Sequence, residues 1–249
     1  TIDKIKTGKV HLFSMGGAIQ NSFLAAVAHR SDTIIRIAHA DLGEEAIFDI
    51  SDLKVLQEMA AKDREDGVSP EKRMIPAWAN HTMGVLMHAY SKNMLRSGVD
   101  IMVASKLPYG AGLSYSAANC VSVSMALDQI FDWKLSSMDI VEFARAGEWN
   151  DFVGSTCGWL DQLLVVFSRH GYFSMIDYAT KGITYFKSRF PETFQRILVN
   201  TNVPRQLTVT EYNDRNLAEL PKAHETLKAI LPEIKIYGST SLTIGEINH

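Results

Sequence analysis

The sequence predicts a mixed α/β fold (α+β), and three observations carry that prediction. Short stretches with strand character occur at Lys9-Val10-His11-Leu12-Phe13, where polar and apolar residues alternate, and at Thr33-Ile34-Ile35-Arg36-Ile37-Ala38, which is compact and β-branched. A long segment from Ala77 to Leu95 places Trp78, Met83, Val85, Leu86, Met87, Tyr90 and Leu95 at helical spacing. A short strand at Ile101 to Ala104 then runs through a glycine-rich loop into a second apolar helix carrying Val121, Val123, Met125, Leu127 and Ile130.

The remaining elements follow the same rules. Gly16-Gly17 marks a turn after the first strand. Ser51 is an N-cap candidate for a helix to Ala61 that carries Leu53, Val55, Leu56 and Met59, and Lys62 to Arg73 reads as a charged, solvent-facing loop. Ser97-Gly98 closes the long helix. Further helices are expected over Ser137 to Trp149 and from near Gly154, with a strand at Tyr172 to Asp177 after Gly171. The last part offers a strand at Arg196 to Asn200, a loop around Pro204 and a helix from about Thr208 to Leu231. No internal repeat or low-complexity linker occurs, and the best boundary between two domains lies near residue 168.

Composition narrows the function classes. The 249 residues carry Lys+Arg 25 against Asp+Glu 28, a formal net charge of −3, and no concentrated basic stretch. Nucleic acid and anionic membranes need such a footprint, so a small-molecule partner is expected. No run of about 18 apolar residues suggests a membrane span, and nothing at Thr1 to Lys9 has the form of a secretory signal. Two cysteines, Cys120 and Cys157, without disulfide or zinc spacing fit a reduced cytoplasm. The eight histidines form no metal-binding motif. Oligomeric state is not legible.

The informative event is the loop Lys106-Leu107-Pro108-Tyr109-Gly110-Ala111-Gly112-Leu113-Ser114-Tyr115-Ser116-Ala117-Ala118 between strand and helix. Gly110 and Gly112 let the backbone turn tightly and approach a bulky anion without a Cβ clash. Ser114 and Ser116 stand at the helix start, where unpaired N–H groups and the helix dipole favour phosphate. A serine hydroxyl there can also reach a magnesium ion bridging phosphates. The same residues also read as a plain glycine turn with a serine N-cap.

Pro108 to Ala118 resembles the Pro-x-Gly-x-Gly-Leu-Ser-Ser-Ser-Ala loop of the GHMP small-molecule kinases, and three further stretches resemble galactokinases within that group. Glu148-Trp149-Asn150-Asp151-Phe152-Val153-Gly154 with Cys157-Gly158-Trp159-Leu160-Asp161-Gln162 is similar to the family's Glu…Phe-Val-Gly…Cys-Gly-x-x-Asp-Gln segment. Asn200-Thr201-Asn202-Val203 with Glu211-Tyr212-Asn213-Asp214-Arg215 is similar to its Asn-Ser-Asn-Val…Glu-Tyr-Asn-x-Arg segment. Gly8-Lys9-Val10-His11-Leu12 lies on its Gly-Arg-Val-Asn-Leu.

The resemblance implies the GHMP-kinase two-domain architecture. A ribosomal-protein-S5-domain-2-like N-terminal domain would span 1–168, with a truncated C-terminal domain over 169–249 that ends before the family's third, glycine-rich motif. It further implies ATP and Mg2+ as cofactors, a sugar as substrate, and phosphoryl transfer to the sugar's anomeric hydroxyl. Carried over by position, Asp161 falls on the carboxylate that orients or deprotonates that hydroxyl, and Lys9 on the family's catalytic arginine. Pro108, Gly110, Ala111, Gly112, Leu113, Ser114 and Ser116 fall on the phosphate loop, with Ser116 near magnesium. Gly158 and Tyr212 fall on the sugar site. Taken alone, Asp161 also reads as a solvated helix carboxylate, Lys9 as a surface charge, and Tyr212 as a packing aromatic.

Two departures from the family pattern bear on function. The family's acidic and histidine sugar contacts are replaced by Phe13-Ser14-Met15-Gly16-Gly17-Ala18-Ile19. Loss of a buried polar contact costs on the order of 1–3 kcal/mol each, so a different alcohol substrate, or binding without turnover, are the competing expectations. Tyr115 also stands where the loop usually has a small serine, and its ring is expected to point away from the phosphates.

Overall fold

The structure is a computed structural model. It describes residues 13–65, 75–150, 152–178, 180, 182–189, 197–200, 218–219, 221–223 and 225–226. Lys9, Tyr212 and Arg215 lie outside the described residues.

The described strands form two sheets. Strands β2 (Phe23–His29), β3 (Ile34–His39), β4 (Glu44–Asp49) and β5 (Val99–Ser105) build a four-stranded sheet in the order β2-β5-β3-β4. In it β5 runs antiparallel to β2 and parallel to β3. Strands β1 (Phe13–Gly16), β6 (Tyr172–Asp177) and β7 (Gly182–Lys187) form an antiparallel sheet in the order β1-β6-β7. Pairing of Ser14 with Ile176 therefore ties the start of the described chain to a strand beyond residue 168.

Five α-helices are described: α1 (Asp52–Glu65), α2 (Asn80–Ser91), α3 (Tyr115–Phe131), α4 (Ser137–Trp149) and α5 (Leu160–Phe167). Helices α2, α3 and α4 pack on one another, with α3 against β2. Their apolar faces join Ile35, Ile37, Val99, Ile101 and Val103 of the sheet in one buried core that includes Met83, Leu86, Val123, Leu127 and Phe143. The opposite face of this sheet leaves Leu24, Ile47 and Met102 exposed.

Local chemistry explains the elements whose limits match expectation. Helix α4 begins with a reciprocal capping box between Ser136 and Asp139, and β6 has the predicted limits. The long helix resolves into a 3-10 turn at Ala77–Ala79 and α2, which stops at Ser91, before Ser97-Gly98. Helix α1 continues to Glu65, into the stretch expected as a charged loop. Strands β2, β4 and β7 are not among the expected ones, and residues 197–200, expected as a strand, have no regular structure. The helix expected from near Gly154 begins only at Leu160, so Cys157 and Gly158 lie in a loop.

Helices α2 and α4 approach most closely through glycines. A Cβ on Gly84 would sit 2.2 Å from the Gly147 carbonyl oxygen and 2.6 Å from Val153 Cγ2. The Asn150 amide secures the crossing by donating to the carbonyls of both Gly84 and Gly147, each at 2.8 Å. Gly84→Ala is expected to cost on the order of 3 kcal/mol, because backbone on the facing helix must move. A urea-unfolding midpoint unchanged from the parent would contradict this. The crossing sets the position of Glu148, the residue next to Gly147.

Candidate functional site

The glycine loop leaves β5 at Ser105 and enters α3 at Tyr115. Gly110, Gly112 and Ser114 all adopt positive φ, at 69°, 71° and 58°. The two glycines take this conformation freely, whereas a serine there costs about 1 kcal/mol. Ser114 is the N-cap residue, yet its side chain makes no capping hydrogen bond. The plain serine-cap reading is thus not what the loop does, and the serine side chain leaves the first N–H groups of α3 to other acceptors. Tyr115 turns into the core. It is buried edge-on against Phe23 and beside Tyr109, with its hydroxyl 3.3 Å from His39 Nε2. Burial pushes that phenol up to about 12, so it stays neutral.

In the first turn of α3, the Ser116 hydroxyl donates to the carboxylate of Glu148, at the end of α4. Glu148 is only 2% exposed. Its Oε2 also accepts from Gln162 Nε2 at 2.7 Å, and it is hydrogen-bonded to the Cys157 thiol. Desolvation dominates this carboxyl and pushes it up to about 7, with the negative charge of Asp161 acting in the same direction and the hydrogen bonds opposing. The sequence had Glu148 within a motif but gave it no role. Its signal is tertiary, a carboxyl buried between two helices.

Asp161 lies half-buried in the first turn of α5, where the helix dipole favours an anion. Its charge is felt by Glu148 and by Tyr178, whose hydroxyl donates to Ser14 Oγ at 3.1 Å. The structure therefore brings Ser116 and Glu148 into direct contact and sets Asp161 within electrostatic reach of Glu148 and of Tyr178. Gly158 is in the loop leading into α5, three residues before Asp161. Among the described residues no group of three or more His, Cys, Asp or Glu side chains could hold a metal by itself, and no helix is long and apolar enough to cross a membrane.

Residues 80–169, from α2 through α5, match the family of GHMP kinases N terminal domain. The chain also resembles a galactokinase in sequence. It is 29% identical over 218 residues to a galactokinase of Roseiflexus sp. (strain RS-1), covering 88% of this chain and 50% of the relative. The chain thus spans about half the length of that relative. The crystal structure of Lactococcus lactis galactokinase complexed with galactose superposes with a TM-score of 0.69 at 19% identity, over 94% of this chain and 55% of that one. A D-glycero-D-manno-heptose 1-phosphate kinase from Bacteriodes thetaiotaomicron follows at a TM-score of 0.52 and 16% identity, over 71% of this chain and 51% of that one. At these identities the structural likeness shows the fold.

Proposed function

We propose that the protein is an ATP-dependent sugar kinase of the galactokinase type, transferring the γ-phosphate of ATP to the anomeric hydroxyl of galactose or a related sugar. The observation that carries this reading is the contact of Ser116, in the first turn after a glycine loop of alternating positive φ, with the buried carboxylate of Glu148. The loop from Pro108 to Ser114, including Ala111 and Leu113, would hold the phosphates through its backbone. Lys9 would add positive charge, and Gly158 and Tyr212 would line the sugar site. Residues 1–168 and 169–249 would be the N-terminal domain and part of the C-terminal domain. The two free cysteines suit a reduced, cytoplasmic setting.

The donor set fits Mg2+. Ser116 and Glu148 offer hard oxygens only, and magnesium is commonly held by one or two carboxylates together with substrate phosphates rather than by an all-protein cage. Magnesium carried on ATP would neutralise charge on the phosphates during transfer. Asp161 would orient the sugar hydroxyl and accept its proton, and the N–H groups at the start of α3 would stabilise the transferred phosphoryl oxygens.

A second reading, a GHMP kinase for a different alcohol, is favoured by β1. There Ser14 accepts a hydrogen bond from Tyr178, whose phenol feels the charge of Asp161, whereas the first-motif positions of the family carry acidic and histidine sugar contacts. One experiment separates the readings: ADP release from Mg-ATP over a panel of monosaccharides and other small alcohols. Release with galactose or a close relative supports the first, release with another alcohol only supports the second, and silence with all of them contradicts both. Ser116→Ala is expected to raise the magnesium concentration for half-maximal turnover by about tenfold, through loss of one oxygen ligand. An unchanged magnesium titration would remove Ser116 from the site.

A further inference from the structure

One face of α4 grips the segment that leads into α5 at three successive points. Glu142 Oε2 accepts from Trp159 Nε1 at 3.1 Å. The Arg145 guanidinium carbon lies over the Trp159 ring, 4.5 Å from its centroid, and equally 4.5 Å from that of Trp149. Glu148 accepts from Gln162. Residues 142, 145 and 148 follow at helical i, i+3 spacing and so share a face. Trp159 is the N-cap residue of α5, and its carbonyl accepts the Leu163 N–H at 2.9 Å. Asp161 falls inside that first turn. Arg145 Nε is buried without a hydrogen-bond partner, so this guanidinium is held by aromatic faces and by the charges of Glu142 and Glu148 rather than by a fork of hydrogen bonds.

We propose that Arg145 is a positioning residue: seated on Trp149 and Trp159, it fixes the first turn of α5 against the end of α4 and so holds Asp161 in register with Glu148 and Ser116. Its catalytic consequence rests on the function proposed above, whereas the clamp itself does not. A displacement of about 1 Å at a reacting group can cost about a hundredfold in rate, which is why a stack remote from the phosphate loop matters. Because the stack touches α5 and not the loop, its loss acts on kcat and leaves nucleotide affinity in place.

The test compares Arg145→Met, which keeps the reach of the side chain but removes the planar cation, with Arg145→Lys, which keeps a charge over the rings. Arg145→Met is expected to lower kcat about tenfold with KM for ATP within about twofold, and Arg145→Lys to recover most of that loss. A second readout needs no turnover. In a Cys120→Ala background, reaction of Cys157 with a disulfide reagent reports opening of the segment before α5, and Arg145→Met is expected to speed it about tenfold at an unchanged thermal midpoint. Parent-like kcat and thiol reactivity in Arg145→Met overturn the proposal, as does an equal fall in kcat for both variants. If Arg145→Met unfolds, Arg145→Lys and Trp159→Leu are read by the thiol assay, and parent-like protection in Trp159→Leu overturns it. If the parent turns over no substrate, the kinase reading fails and the thiol assay alone decides the clamp.

Discussion

Asp161→Asn is expected to reduce sugar-dependent ADP release by at least about a hundredfold, the range a positioned general base contributes. The substitution keeps the volume and most hydrogen-bonding capacity of the side chain, so the first turn of α5 stays formed. What it removes is the negative charge and the ability to accept a proton. Two effects on stability oppose each other. Loss of an anion at a helix N-terminus costs about 0.3–1 kcal/mol, while loss of its repulsion with Glu148 returns part of that. The thermal midpoint is therefore expected to stay near the parent's, and the deficit to fall on kcat. ATP hydrolysis without sugar gives the reference, since it needs no proton taken from a sugar. Asp161→Asn with sugar-dependent turnover within a few-fold of the parent would show that this carboxylate is not at the reacting hydroxyl.

Where local chemistry decides an element, it was legible. Helix α4 has the limits expected from the sequence and starts on the local Ser136–Asp139 capping box, and β6 begins directly after Gly171. Strand β2 shows the opposite case. Phe23-Leu24-Ala25-Ala26-Val27-Ala28-His29 has alanines where strands favour β-branched residues, and it is a strand because β5 pairs with it along its full length. Likewise a helix is expected from near Gly154, yet Gly154 to Trp159 is a loop. The residues around it are instead held by side-chain bonds from elsewhere, among them Asn150 Oδ1 to the Val153 N–H and Glu142 to Trp159. Of the candidate site, the glycine loop, Ser116 and Asp161 were visible because backbone freedom and motif order mark them. Glu148 and Arg145 were not. A carboxyl and a guanidinium on a helix usually face water, and only the packing of α3 and of the segment before α5 against α4 buries the one and seats the other on indole rings.

That buried carboxyl makes the sharpest claim about stability. Glu148 in the folded chain holds its proton until about pH 7, whereas the ordinary value is 4.5. Between these limits the folded state binds more protons than the unfolded one, so stability falls as pH rises through this window and levels off above it. At about 1.4 kcal/mol for each tenfold difference in proton affinity, the full loss is about 3 kcal/mol. Glu148→Gln keeps the size of the side chain, still accepts from Gln162 and can donate to the Ser116 hydroxyl, but carries no titrating group. In urea unfolding at pH 4.5 and pH 8 the variant is expected to lack this decline and to exceed the parent at pH 8 by up to about 3 kcal/mol. The same variant should lose Mg-ATP turnover by about a hundredfold, because a neutral amide is a poor partner for a hard dication. A gain in stability with a loss of activity is what a buried carboxylate retained for function produces. Parent-like pH dependence of unfolding would show that the folded chain does not hold this proton, and full turnover would show that the carboxylate serves packing alone.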